Sequence, residues 1–234
     1  MQLILITGAN RGIGLGFVEK YLVQDETRVF ATCRNPQTAT ELMALADANE
    51  RLTIVQLDVT DGESIASSLR TVSTQCDGID LLINNAGINT KGGLQSFETS
   101  TSETMLDILN VNVVGPFMVI QAYIDLLKAG QNTRIVNISS QMGSLTRKTS
   151  GNSYAYCSSK AALNMVSRAL AADLQQYDIT TVMVHPGWVQ TDMGGPNAAI
   201  TIDTAVNGMV EIFDGLAAND NGKFYQWDGQ ELPW

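Results

Sequence analysis

The chain is predicted to fold as a single α/β domain built on a doubly wound parallel sheet, with helices on both of its faces. Three observations carry that expectation. Short apolar runs bounded by turn residues recur along the chain, stretches of helical character separate them, and the first run leads straight into a glycine-rich turn.

Taken in order, the candidate strands are residues 3–7, 28–32, 52–58, 81–84, 134–139 and 180–186, with a short last one at 223–227. Their near-continuous apolarity suits strands covered on both faces, and the count gives a sheet of about seven strands. Helices are expected at 14–23, directly behind the first strand, and at 64–74, behind the acidic turn Asp61-Gly62-Glu63. A longer helical stretch at 101–129 has Pro116 in its middle, so a kink or break is expected near Gly115.

Composition bounds the function. With 234 residues, 44% hydrophobic and 16% charged, the chain can bury a sizeable core, and one domain spanning 1–234 is expected, without linker or repeat. A formal charge of −10 repels polyanions, so no nucleic-acid partner is expected. The start MQLILITGAN has no basic leader, and no apolar run approaches the roughly 18 residues of a membrane helix, so no membrane partner is expected. Cys33, Cys76 and Cys157 are scattered and odd in number, which suits reduced thiols and a cytoplasmic location. The single histidine, His185, rules out a histidine-rich metal site, and no metal is expected. It is also declined as a catalytic base, because no G-x-S-x-G nucleophile elbow accompanies it.

The glycine-rich turn reads Thr7-Gly8-Ala9-Asn10-Arg11-Gly12-Ile13-Gly14. Residues without Cβ atoms permit a tight turn, let backbone N–H groups approach a pyrophosphate and let the helix pack close to the sheet. Gly8, Asn10, Arg11, Gly12, Ile13 and Gly14 are therefore candidate dinucleotide contacts in a single-domain Rossmann fold, the alternative being a purely structural turn. About 20 residues on, where a carboxylate would bind the ribose of NAD, stands Cys33-Arg34. Arg34 and Arg11 suit a 2′-phosphate instead, so NADP(H) is preferred over NAD(H); solvated surface arginines are the alternative.

The segment from Asn137 to Lys160 carries two serines at a strand end, then a tyrosine and a lysine four apart. That spacing puts Tyr156 and Lys160 on one helical face, where the ammonium and an oxidised nicotinamide favour the phenolate. A strand-end serine, Ser140 with Ser139 as the alternative, can hold a substrate oxygen. By itself the pair also fits a half-buried tyrosine above a surface lysine.

The ordered motifs TGANRGIG at 7–14, DVT at 58–60, NNAG at 84–87, NVNVVG, NISS, YAYCSSK and HPGWVQTDMGG resemble the short-chain dehydrogenase/reductase family. The stretch TSGNSYAYCSSKAALNMVSRALAADL is most similar to the carbonyl-reductase-like branch that contains the bacterial C-factor and the insect sniffer. The resemblance implies a catalytic tetrad of Asn112, Ser140, Tyr156 and Lys160, with Asn112 holding a water in a proton relay. It implies cofactor contacts at Asp58, Val59, Asn85, Ala86, Gly87, Pro186, Gly187, Val189 and Thr191 as well as Tyr156 and Lys160, and a sheet-stabilising Asn84. It further implies a small-molecule carbonyl or alcohol substrate and a homodimer or homotetramer. Residues 192–204 are expected to form a short mobile loop over the substrate. The function expected is an NADP(H)-dependent oxidoreductase with Tyr156 as general acid/base. The alternative is a C-factor-like signalling or redox-sensing protein that binds NAD(P) with little turnover.

Overall fold

A computed structural model describes residues 1–90 and 95–234. Seven strands, β1 (Gln2–Ile6), β2 (Thr27–Cys33), β3 (Leu52–Gln56), β4 (Leu81–Asn84), β5 (Arg134–Ile138), β6 (Thr180–His185) and β7 (Phe224–Gln226), form one sheet in the order β3-β2-β1-β4-β5-β6-β7. Every pairing is parallel. The helices are α1 (Gly12–Leu22), α2 (Thr40–Ala48), α3 (Gly62–Ser73), α4 (Ser102–Leu109), α5 (Gly115–Ala122), α6 (Ile124–Ala129), α7 (Tyr154–Leu174) and α8 (Ile202–Gly215).

Neighbouring residues on a strand point to opposite faces, and here both faces are covered. Ile4 and Ile6 of β1 pack with Phe17 and Tyr21 of α1 and Met209 and Phe213 of α8. Leu5 between them joins Ile65 of α3 and Val119 and Ile120 of α5 on the other side. A seven-stranded, doubly wound parallel sheet of Rossmann type is thus the fold, as the alternating apolar runs predict.

The predicted helix 101–129 is interrupted where expected, by a wide π turn at Asn110–Val114 between α4 and α5. Pro116 has no N–H to give to the carbonyl of Asn112 four residues back, so the ladder loosens just before it. One expectation needs correction: by length and composition alone, Ser102–Ala122 is long and apolar enough to cross a membrane. In this fold the stretch packs against α7 and α3. The predicted loop 192–204 also ends early, because Thr201 caps α8 by accepting the Thr204 N–H at 3.1 Å. A Thr-x-x-Thr cap reads as loop composition until the helix behind it is seen.

Candidate active site

Order reversal between β1 and β4 opens a crevice at their carboxyl ends, the place where open parallel sheets bind ligands. A cavity of about 840 Å³ lies there. Gly8, Asn10, Arg11, Gly12, Ile13, Gly14, Arg34, Asp58, Val59, Asn85, Ala86, Gly87 and Thr191 line it. Pro186, Gly187 and Val189 precede Thr191 in the same segment and are not part of this wall.

The turn is held open by close backbone packing. Asn85 donates from Nδ2 to the carbonyls of Thr7 and Gly8, both at 3.0 Å, and the N–H groups of Asn85 and Ala86 donate to Thr7 Oγ1 at 3.1 Å. Gly8 has φ +65°, and a Cβ there would sit 2.8 Å from Ala86 Cα. A Cβ on Gly14 would collide with the Gly8 carbonyl and Asn85 Nδ2. Only glycine leaves this approach free.

Arg34 follows the end of β2 as read from the sequence, and carboxylates stand in the same cavity wall. Glu41 and Asp58 share the cavity wall with it. Burial alone would raise the Asp58 carboxyl, yet two hydrogen bonds from Thr60 and the Arg34 charge outweigh burial and hold it below its ordinary value. Arg11 forms an exposed ion pair with Asp192 at 2.7 Å, across the mouth between the glycine turn and the loop.

The four residues of the implied tetrad converge beside the cavity. Tyr156 and Lys160 lie one turn apart on α7, Ser140 follows β5, and Asn112 sits in the π turn. A Cβ on Gly87 would lie 3.3 Å from Asn112 Oδ1 and 3.7 Å from Lys160 Nζ, so both side chains stand beside this cavity residue. Asn112 accepts the Ile88 N–H at 2.8 Å and donates to the Ile88 carbonyl at 2.9 Å and to Ser159 Oγ at 3.0 Å. Ser140 lies near enough to Tyr156 for its hydroxyl to pull the phenol's pKa down, and its Oγ accepts the Met142 N–H at 3.1 Å. Ser139 turns away and donates to Asn164 Oδ1 at 2.6 Å, which removes it as the alternative.

Lys160 is buried and its ammonium donates a hydrogen bond to the Ile138 carbonyl at 2.8 Å. Burial pulls its pKa down to about 8. The Tyr156 phenol is pushed up to about 12, chiefly by burial, which the nearby Ser140 hydroxyl offsets only in part. In the chain without a nicotinamide, burial favours the neutral phenol, the form that can give a proton.

Two predicted residues also make framework bonds. Asn84 Nδ2 donates to Asn137 Oδ1 at 2.9 Å across β4 and β5. Thr191 Oγ1 accepts the Gly194 N–H at 3.1 Å and shapes the loop. That loop is anchored at its base, since Gln190 donates to the Ile200 carbonyl at 2.9 Å and Ile200 to that of Trp188 at 3.1 Å. The sequence reading misses Glu41, Ile88 and Val111, which also line the cavity. Ile88 and Val111 adjoin Gly87 and Asn112, which was the available signal; Glu41 has none.

Fold and crevice together define a dinucleotide-fold oxidoreductase. A family model described as short chain dehydrogenase matches residues 2–200, and the chain belongs to that family. Among its relatives is C-signal of Myxococcus xanthus, 41% identical over 160 residues that cover 68% of this chain and 95% of that protein. Two similar structures are the NADPH-bound carbonyl reductase from chicken fatty liver, 37% identical, and the carbonyl reductase Sniffer of D. melanogaster, 36% identical. Each superposes with a TM-score of 0.94 and covers all of both chains.

Proposed function

We propose that this chain is an NADP(H)-dependent carbonyl reductase in which Tyr156 supplies the proton. The observation that carries the reading is the convergence of Tyr156, Ser140, Asn112 and the buried Lys160, whose Nζ lies 5.7 Å from the Tyr156 ring, next to a cavity with glycines in its wall. The residues present fit a dinucleotide: a turn with glycine at positions 8, 12 and 14 opens an α-helix N-terminus to a pyrophosphate, and Arg34 offers a guanidinium to a 2′-phosphate. The bound cofactor would supply the hydride.

The chain's own residues do the rest. Ser140 Oγ orients the substrate oxygen, and Tyr156 Oη gives that oxygen its proton as the carbonyl carbon is reduced, so a ketone or aldehyde leaves as an alcohol. Lys160 keeps a positive charge beside the developing phenolate, and Asn112 holds the loop at Ile88 next to it. In the reverse direction the same phenol accepts the proton. The likeness to the NADPH-bound reductase supports the choice of cofactor. The same reading takes the protein as a cytoplasmic homodimer or homotetramer, with the loop beyond Thr191 over the substrate.

The test is a carbonyl panel with NADPH and NADH, run on the wild type and Tyr156→Phe. Turnover lost in the variant with NADPH binding kept is the expected result; unimpaired turnover in the variant sinks the role of Tyr156. NADPH binding without turnover on any carbonyl would favour the signalling alternative.

A further inference from the structure

The helix that carries Tyr156 begins in an unusual way. An N-terminus exposes N–H groups that need acceptors, ordinarily supplied by the side chain of the residue in front. Ser153 holds that place in α7 but makes no side-chain capping bond. It and Asn152 both lie in the left-handed region, at φ 52° and 77°, which residues with a side chain enter unwillingly.

The acceptors come instead from a loop some 60 positions earlier in the chain. Gln95 is 6% exposed, and its backbone carbonyl accepts the Ser153 N–H at 2.8 Å. Its side-chain Oε1 accepts the N–H of Ala155, a fully buried residue, at 3.2 Å. Phe97 adds an edge-on contact with the Tyr154 ring, 6.3 Å between centroids. One glutamine thus serves two donors that bracket the first residue of α7, immediately before Tyr156. Because the preceding residues are left-handed and uncapped, nothing on the helix's own strand of chain does this work.

We propose that Gln95 is a positioning residue for Tyr156, capping α7 from the loop after β4 and thereby setting where the phenol stands relative to Ser140 and Lys160. The proposal rests on the reading of Tyr156 as proton donor. A misplacement of the order of 1 Å at a reacting group costs up to about a hundredfold in rate, so a cap on the first turn reaches the chemistry without touching substrate.

The test compares Gln95→Leu, which removes the acceptor, with Gln95→Glu, which keeps an acceptor oxygen at the same reach. Two readouts are used: hydrogen exchange of the Ala155 amide in labelled protein, and kcat with saturating NADPH, normalised to NADPH-binding sites. The expected result is Ala155 exchange at least about tenfold faster in Gln95→Leu, and kcat lower by about tenfold to a hundredfold with the KM for NADPH unchanged. Gln95→Glu restores both. A lower melting temperature with normalised kcat unchanged would mark Gln95 as merely structural and overturn the proposal. If the wild type reduces no carbonyl, the proposed function fails, and the exchange readout decides the cap alone: equal Ala155 exchange in wild type and Gln95→Leu overturns it. Should Gln95→Leu not fold, Gln95→Asn, whose amide ends one methylene short, takes its place in both comparisons.

Discussion

Lys160 Nζ lies 5.7 Å from the centroid of the Tyr156 ring while donating to the Ile138 carbonyl at 2.8 Å. Burial sets the two groups in opposite directions, the phenol up to about 12 and the ammonium down to about 8. At pH 7 the phenol therefore keeps its proton and the lysine its charge, the state that reduction requires. Above pH about 8 the lysine loses that charge. The kcat/KM for NADPH, which reports the free protein's groups, is expected to be flat up to about pH 7.5 and to fall as pH rises through 8. Lys160→Met should lower the rate by about 10²-fold or more and abolish the break. A wild-type profile flat to pH 10 would contradict the assignment.

Arg34 and Arg11 differ in what already holds them. Arg34 faces the cavity with Asp58 in its field, whereas Arg11 is committed to an exposed ion pair with Asp192. A hydrogen bond to a charged group contributes about 1.5–3 kcal/mol, so Arg34→Ala should weaken NADPH binding by about 10- to 100-fold and leave NADH almost unchanged. An exposed pair contributes about 0–1 kcal/mol, so Arg11→Ala should cost less. Calorimetric titration of both variants with both cofactors checks the ranking; a larger loss from Arg11 would reverse it.

Local signals explain what was legible beforehand. β4 has the predicted bounds because polar residues close a short apolar run at both ends, and the π turn falls where Pro116 removes a donor. Ser140 could be separated from Ser139 only once the alternation at the end of β5 put one toward α7's tyrosine and the other toward Asn164. Glu41, Gln95 and the Arg11–Asp192 pair were invisible for one reason: each acts through a contact between segments far apart in the chain, without periodicity or motif. How far burial raises the Tyr156 phenol was not legible, because a sequence shows neighbouring charges but not the packing around them.

Asn112 ties the π turn to the loop at Ile88 through paired bonds to one backbone residue, and to α7 through Ser159. Asn112→Ala leaves the Ile88 N–H and carbonyl without these partners in a part-buried place. Unmade bonds of this kind cost about 1–3 kcal/mol each, so urea denaturation should show a loss of about 2 kcal/mol together with reduced turnover. Asn112→Asp keeps the acceptor for the Ile88 N–H and loses both donations, and should fall between the two. An alanine variant as stable as the wild type would show that the π turn stands without its asparagine.

His185 ends β6, 6% exposed, with Nδ1 unpartnered among the described residues. Burial and the Arg147 charge push its pKa down to about 4, against the opposing pull of Asp228. The folded chain therefore holds this imidazole neutral at pH values where the unfolded chain, with its ordinary value near 6.5, already binds a proton. Between about pH 4 and 6.5 the unfolded state carries the extra proton, so stability is expected to fall as pH drops through that window and to be fully present above it. From pH 7 to 5.5 the loss attributable to this one group is about 1 kcal/mol. As this is the only histidine in the chain, and most carboxylates titrate lower, the effect can be isolated. His185→Gln should remove most of the slope of unfolding free energy between pH 7 and 5.5, measured by urea denaturation, and should leave the turnover of folded protein near the wild-type value. An unchanged slope would mean that His185 finds a partner for its proton in the folded state, and a collapse of turnover with folding intact would reopen it as a residue of the site.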